Sequence, residues 1–430
     1  MLQYKELFEL LRSEIRPALG CTEPVAIALA AAKAASLIDG TIMHVHVEVS
    51  RNIYKNALAV TIPNTHESGL ELAAALGALC RNPDKELELL DDITSENIKL
   101  AKQLIADHTV TVTIAPQGGL FIKARVEIAK GYAEVYVEGG HTHVVKTIVN
   151  GTTANLGTAG QLQKRQYDLA RYSLDDLITA IETVDLAEIS FLQEGIDMNL
   201  FIAAKGLETE AGLGVGAGLQ KMMNQGIVSN DVMNKARVAV AAACDARMAG
   251  LGYPVMTTMG SGNQGIGVTV PLAIVAREYD VSSEKLLRSL ALSNLVTAYV
   301  KQFTGKLSSA CGCSVAAGVG VTAAVAWLMG GTSSQVKGAM QNMIGNLAGM
   351  ICDGAKGGCA LKLATSAAEA IFSAQLALQN IIISSKDGII GSTIEATIKN
   401  LGEISAPGND SMGDAILAIM LEKGRKECNY

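Results

Sequence analysis

Residues 311–329 read CGCSVAAGVGVTAAVAWLM, an uncharged stretch in the second half of the chain. It is nearly as long as a membrane span, but Ala, Gly, Ser and Thr dominate it instead of Leu and Ile. Because small side chains let helices approach closely, we predict a helix buried in a tightly packed core. Around it, from about Ser173 onward, long apolar-periodic segments are broken by glycine clusters at 211–218, 260–267 and 354–358. The second half is therefore predicted to be mainly helical.

The first half of the chain has a different pattern. Within Ile42–Val49 every second residue is a valine from Val45 onward, which predicts a strand with one buried face. Similar patterns predict strands at 110–114, 120–128, 133–137 and 143–149, and helices at 5–38, interrupted near Pro17 and Pro24, and at 69–80. A polar stretch, 155–172, is the candidate connection. We therefore predict an α+β fold, with a mixed α/β domain at 1–172 and a mainly helical, small-residue-rich domain at 173–430.

Composition limits the class of protein. With 430 residues, of which 49% are hydrophobic, the chain can bury a sizeable core. A net charge of -7 with no basic stripe argues against a nucleic-acid partner. The first residues form an acidic amphipathic segment rather than a signal peptide, so we expect a cytoplasmic protein that does not enter a membrane. In that reducing compartment the eight cysteines indicate metal binding, catalysis or plain burial, not disulfides.

Four cysteines of the helical half lie within residues 311–359, and glycines adjoin three of them. They are Cys311, Cys313, Cys352 and Cys359. Glycine lets the backbone approach a bulky cofactor. The segment 352–359 has the pattern of a loop whose two thiolates could bind the same cofactor. Free cysteines are also common as small buried hydrophobic residues, so the spacing alone leaves both interpretations open. Zinc is the rival metal, but the cysteine pairs and histidine spacing of common zinc modules are missing.

The segment 260–265, GSGNQG, satisfies the dinucleotide-binding pattern. Pro271 follows too soon for a long crossover helix, and Asp280 follows a helical stretch where a strand end would be needed. An alternative use is to offer backbone N–H groups and the polar side chains of Ser261, Asn263 and Gln264 to a carboxylate. A purely structural glycine-rich turn explains the segment nearly as well.

Two further segments combine polar groups with glycine or proline. In the first, residues 19–24, Thr22 is predicted to cap a helix, which would set Cys21 beside a helix N-terminus, where a thiolate is favoured. In the second, residues 139–142, a strand ends in two glycines before His141, so the imidazole could project into a cleft. Structural roles remain open for both segments.

Arg51 and Asn52 follow directly after the predicted strand Ile42–Val49. A guanidinium and an amide at a strand end can bind a substrate carboxylate. A surface turn explains the same two residues equally well.

Taken together and in this order, five separated segments resemble the L-cysteine desulfidase family, which is related to the α chain of the iron–sulfur L-serine dehydratases. The segments are residues 18–24 (ALGCTEP), 50–52 (SRN), 139–142 (GGHT), 260–265 (GSGNQG) and 350–355 (MICDGA). The resemblance spans nearly the whole chain.

What the resemblance implies is a [4Fe-4S] cluster held by Cys311, Cys352 and Cys359, with one iron that lacks a protein ligand. Cys313 departs from the family pattern, which leaves open which member of the pair binds iron; we prefer Cys311. In the related dehydratases a cysteine at the chain's end can approach the cluster, and Cys428 is the corresponding residue here. A frayed terminus is the alternative for it.

The implied reaction converts L-cysteine to pyruvate, ammonia and sulfide by α,β-elimination, without pyridoxal phosphate. An open iron would act as a Lewis acid toward the leaving sulfur, and a base would remove the α-proton. Cys21 and His141 are the two candidate bases, with Cys21 preferred. The implied substrate-binding residues are Arg51, Asn52, Thr142, Ser261, Asn263 and Gln264.

Other functions remain open at this point. L-Serine dehydration on an equivalent cluster is the nearest alternative, because the sequence does not separate a hydroxyl from a thiol leaving group. A cluster-bearing redox sensor without turnover and a structural zinc protein are alternatives of other classes. The expected partner is a small amino acid, L-cysteine or L-serine, and the sequence also leaves a homo-oligomer open.

Overall fold

The described part of the chain combines a sheet in the first half with a helical second half, which confirms the predicted α+β class. The computed structural model describes residues 4–91, 93–154, 167–405 and 411–427. Most of the predicted connection, at 155–166, and Cys428 lie outside the described residues, so the domain boundary at 172 stays a prediction. Within the described residues no helix is both long enough and apolar enough to cross a membrane.

The first half contains both helices and strands. In chain order they are α1 (Lys5–Glu14), β1 (Pro17–Leu19), α2 (Thr22–Ser36), β2 (Ile42–Val49), α3 (Arg51–Ala57), α4 (Leu70–Cys80), α5 (Ser95–Ala106), β3 (Val110–Ile114), β4 (Phe121–Ile128), β5 (Gly131–Glu138), β6 (Val144–Val149) and β7 (Thr152–Ala154). The predicted long first helix is divided at Pro17 by β1. Pro24 causes no break, because it lies in the first turn of α2, where a missing N–H removes no helical hydrogen bond.

The sheet has the strand order β3-β2-β4-β5-β6-β7, with β2 and β3 parallel and the other neighbours antiparallel. Val47 lies opposite Val112 on one side and Ala124 on the other. Val45, Val47 and Val49 are buried, as their alternation predicts. Helices α2 and α4 pack together and against strands of this sheet, so the first half has a layer of helices on a layer of strands.

The second half is helical apart from one short strand. In chain order its elements are α6 (Leu174–Thr183), α7 (Leu186–Ile189), α8 (Leu192–Thr209), α9 (Val215–Asn224), α10 (Val232–Met248), β8 (Pro254–Met256), α11 (Gly262–Glu278), α12 (Ser283–Thr304), α13 (Ala317–Leu328), α14 (Ser333–Leu347), α15 (Cys359–Leu378), α16 (Ile394–Ser405) and α17 (Ser411–Glu427). Strand β8 pairs antiparallel with β1 and so joins the two halves. A three-residue pairing carries too little periodicity to be predicted from sequence.

The predicted small-residue helix at 311–329 is present as α13 and is buried against α11, α12, α14 and α15. Close approach depends on glycine, since a Cβ on Gly320 would lie 2.4 Å from both Ser293 O and Thr297 Oγ1. The helix begins later than predicted, because residues Gly312–Ala316 form a π-helical turn that leads into it. Such turns are frequent at functional sites, and this one contains Cys313 and follows Cys311.

Candidate active site

Two distant cysteine segments meet through the backbone. Cys311 N–H donates to Met350 O at 2.8 Å, and Cys352 N–H donates to Ser309 O at 2.6 Å. These bonds flank an antiparallel bridge between Ala310 and Ile351. The pairing therefore brings Cys311 and Cys352 side by side at the start of their loops.

Cys313 and Cys359 belong to the same neighbourhood. Cys313 hydrogen-bonds Cys311, and this bond lowers the pKa of Cys311 and raises that of Cys313. Burial, and then the charge of Cys311, raises the pKa of Cys352 and takes that of Cys359 to about 11. The four thiols thus act on one another electrostatically, and the hydrogen bond between Cys311 and Cys313 favours a thiolate on one of these two residues.

Within the described residues no group of three or more His, Cys, Asp or Glu side chains is placed to hold a single metal ion. This finding does not bear on an iron–sulfur cluster, because its ligands bind different iron atoms and need not meet at one point. The donor set fits such a group, since thiols from two paired segments and from the start of α15 surround one region.

Lysines surround the loop at 352–359. Lys55 Nζ donates to Cys352 O at 3.0 Å, and Lys362 Nζ donates to Ile351 O at 2.9 Å. Asp353 forms ion pairs with Lys356 and Lys362, and these outweigh burial and lower the pKa of its carboxyl to about 2. The positive charge favours thiolates and an anionic cofactor at this loop.

In another part of the site, several side chains contact the buried carboxylate of Glu23. Its Oε2 accepts from Cys21 Sγ at 3.0 Å and from Thr22 Oγ1 at 3.1 Å, and its Oε1 accepts from Asn56 Nδ2 at 3.1 Å. His141 Nε2 lies 3.8 Å from the same Oε1 and has no hydrogen-bond partner, although it is buried. Burial alone would raise the pKa of Glu23, but the interactions with His141, Cys21 and Asn56 hold it well below its usual range.

Cys21 differs from its prediction in two respects. It, and not Thr22, is the N-cap residue of α2, because both side chains donate to Glu23 instead of capping the helix. Burial, and then the charge of Glu23, raises the pKa of the Cys21 thiol well above its ordinary value, although the nearby Arg247 opposes this. Cys21 is therefore a thiol that donates to a carboxylate, and the expected thiolate is wrong for this state.

The segment 260–265 lies between the cysteines and His141. Ser261 caps α11, and its Oγ lies 3.6 Å from Cys313 Sγ. A Cβ on Gly260 would lie 3.3 Å from His141 Nδ1, so only a glycine leaves the imidazole its place. Asn263 and Gln264 are buried with their amide groups already bonded, to Met248 Sδ and Thr258 O.

The dinucleotide interpretation of this segment fails on topology. The short strand before it, β8, is antiparallel to its partner β1, so no parallel βαβ unit is formed. The expectation that Pro271 stops the helix is wrong, however, because α11 continues through it to Glu278. A proline inside a helix removes one hydrogen bond, which a fully buried helix tolerates through its packing.

The structure does not bring every predicted substrate residue into the buried site. Arg51 begins α3, and its side chain is 59% exposed and paired with Asp414 of α17. Asn52 and Thr142 are half-buried. Lys55 and Asn56, one helical turn beyond Arg51, are the buried polar residues of α3. The sequence pattern missed them because the start of a helix directly after β2 was not predicted.

Three other buried residues were missed by the sequence analysis. Cys244 of α10 lies near Cys359 and Cys311. Arg247, from the same helix, donates to Asn263 Oδ1 at 2.9 Å and to Gly20 O at 2.5 Å. Lys301 of α12 donates to Lys306 O at 2.9 Å, and burial lowers its pKa against the opposing effect of Cys313 and Cys352. A lysine inside the apolar run of α12 is the one signal that could have revealed Lys301.

Comparison with known proteins shows which family this chain resembles. Residues 84–418 match the model of the serine dehydratase alpha chain family. A UPF0597 protein of Clostridium botulinum (strain Loch Maree / Type A3) is 41% identical over 418 residues, which cover 96% of each chain. A UPF0597 protein of Desulfatibacillum aliphaticivorans is 43% identical, and the match covers 96% of this chain and 98% of the relative. A UPF0597 protein of Alkaliphilus oremlandii is 41% identical, and the match covers 96% of this chain and 97% of the relative. The matches span most of the chain, and the protein therefore belongs to the serine dehydratase alpha chain family.

Proposed function

We propose that the protein is an iron–sulfur-dependent lyase that removes sulfide from L-cysteine and yields pyruvate and ammonia. The observation that carries the proposal is that Cys311, Cys352 and Cys359 act on one another electrostatically, while residues 260–261 lie next to both Cys313 and His141, which pairs with Glu23. Family membership supports the same class of reaction, because its description names a dehydratase, which is a lyase.

Cys311, Cys352 and Cys359 are the residues that would hold a [4Fe-4S] cluster. When bound, the cluster supplies a Lewis acid at the iron that lacks a protein ligand. Cys313 is the alternative ligand, because it lies beside Cys311 and shares a hydrogen bond with it. Lys55, Lys356 and Lys362 offset the negative charge that three thiolates bring.

His141 is our choice for the group that accepts the α-proton. Its Nε2 lies 3.8 Å from Glu23 Oε1, which favours a proton on that nitrogen, and its Nδ1 lies toward residue 260. Cys21 is less suited, because its proton is held between sulfur and a carboxylate. The role of Glu23 is then to orient His141 and to stabilise the imidazolium that proton transfer creates.

L-Serine is the second candidate substrate, since the family description names serine. The same base and the same cysteines would serve, with water as the leaving group in place of sulfide. Residues 261–264 border the region between the cysteines and His141, where a small amino acid would fit either reaction.

The test is to purify and reconstitute the protein without oxygen and to compare both substrates without added pyridoxal phosphate. We expect sulfide and pyruvate in equal amounts from L-cysteine, with a higher kcat/KM than for pyruvate release from L-serine. A higher kcat/KM for L-serine would replace the first candidate by the second. Iron-loaded protein that turns over neither amino acid would refute the lyase and favour a cluster-bearing sensor.

A further inference from the structure

Lys301 is a buried cation to which the proposed reaction so far assigns no role. It lies in the last turn of α12, and only 4% of the residue is exposed. Its ammonium has three N–H donors, and the hydrogen bond to Lys306 O uses one of them. Among the described residues no carboxylate forms an ion pair with it, whereas most lysines and arginines near the site have such a partner or several acceptors.

Lys301 lies within the candidate active site. A Cβ on Gly312 would lie 3.0 Å from Lys301 Nζ and 3.0 Å from Gln264 Oε1, so the glycine backbone packs closely against both side chains and a larger residue would crowd them. Gly312 separates Cys311 from Cys313, and the charges of these cysteines and of Glu23 act on Lys301. The ammonium is therefore near both the thiols and the buried carboxylate of Glu23.

A buried ammonium is stable only when an anion or several acceptors replace its water. Arg51, the cation that the sequence offered for a substrate carboxylate, is exposed and already paired with Asp414. Arg247 is engaged by Gly20 O and Asn263 Oδ1. Lys55 is also buried, and its ammonium donates to Cys352 O.

We propose that Lys301 binds the α-carboxylate of the amino-acid substrate. This inference rests on the proposed function and deepens it, because it assigns the group by which the site selects an α-amino acid over its neutral derivatives. A carboxylate held there would place the substrate's Cα between the thiols and His141, which the elimination requires.

The test compares an amino acid with its amide, which lacks only the negative charge. For the wild-type protein we expect kcat/KM for L-cysteine to exceed that for L-cysteinamide by about 100-fold or more. In Lys301→Met the value for L-cysteine should fall by about 100-fold, while that for L-cysteinamide changes little. Lys285→Met, an exposed lysine on the same helix, is the matched control and should keep the full preference.

A second measurement does not depend on turnover. L-Alanine keeps the carboxylate but has no leaving group, so it should raise the melting temperature of the wild-type protein and of Lys285→Met, but not that of Lys301→Met. Iron content should be equal in all three. If Lys301→Met folds poorly, Lys301→Gln, which keeps a donor but no charge, takes its place in both measurements.

Three results would overturn the proposal. Lys301→Met could keep the preference for the acid, or it could lose activity equally on the acid and the amide, as expected for a proton-transfer or structural role. Alternatively Lys55→Met, and not Lys301→Met, could abolish the preference. If the wild-type protein turned over neither substrate, the proposed function would fail, and the L-alanine measurement alone would decide whether Lys301 binds a carboxylate.

Discussion

Glu23 shows how one buried carboxylate can determine the state of its neighbours. It is 7% exposed and accepts hydrogen bonds from Cys21, Thr22 and Asn56. Since its pKa is depressed in the folded protein, the stability that it contributes is fully present above the pKa of an unfolded glutamate, about 4.3. That stability is lost as the pH falls through the lower folded value. The carboxylate is therefore ionised across the neutral range.

Replacing Glu23 by Gln keeps the shape of the side chain and removes its charge. We expect kcat to fall by about 10- to 100-fold with little change in KM, because His141 loses the anion that stabilises its protonated form. The loss should be present at neutral pH, where the wild-type carboxylate is ionised. Steady-state rates at neutral pH provide the measurement.

Glu138→Gln is the matched control for this substitution, because Glu138 is an exposed glutamate at the end of β5, close in sequence to His141. It should leave the rates unchanged. An unchanged kcat in Glu23→Gln would contradict the assigned role.

At this scale the sequence analysis was only partly informative. Motifs drew attention to Cys21 and His141, but their partner Glu23 was treated only as part of a helix start. Lys301 and Arg247 were missed because a single polar residue in an apolar helix gives no periodic signal. The roles of these two residues depend on which helices pack together, and helix packing is a property of the tertiary fold.

Packing between α2 and α4 positions the start of α2, and with it Cys21, Thr22 and Glu23. A Cβ on Gly77 of α4 would lie 2.0 Å from the carbonyl oxygen of Ala28 in α2. We therefore expect Gly77→Ala to force the helices apart and to lower the free energy of unfolding by about 3 kcal/mol. Chemical denaturation followed by circular dichroism provides the measurement.

Gly218→Ala is the control, since Gly218 also lies inside a helix, α9, but a Cβ there would meet nothing within 4 Å. Alanine has the higher helix propensity, so this variant should gain about 0.5 to 1 kcal/mol. Equal stability of the two variants would show that the close contact between α2 and α4 does not limit the fold.

Elements with strong periodicity were predicted well. The bounds of β2 and β3 agree with the prediction, and those of β4, β5, β6 and α4 differ by one or two residues at an end. Their alternation or helical spacing directly reflects burial on one face. The pairing of β1 with β8 and the helix α3 were not predicted, because both are short and depend on distant contacts.

The site belongs to the whole molecule and not to one half of it. Glu23 and His141 come from the first half, whereas the four clustered cysteines and Lys301 come from the second. The pairing of β1 with β8 and the contact between Lys55 and Cys352 O connect the halves directly at the site. The resemblance to a known family predicted that the cysteines and His141 belong to one site, but it gave neither Glu23 nor Lys301, because their roles depend on contacts that motif order does not reveal.

The central claim, that three cysteines hold an iron–sulfur cluster, is tested most directly by iron content. Protein purified without oxygen should contain about four irons per chain and show the broad visible absorption of a [4Fe-4S] cluster. Cys311→Ala, Cys352→Ala and Cys359→Ala should each lose most of the iron, while Cys80→Ala, at the end of α4, should retain it. Full iron and an unchanged spectrum in all three site variants would contradict the account.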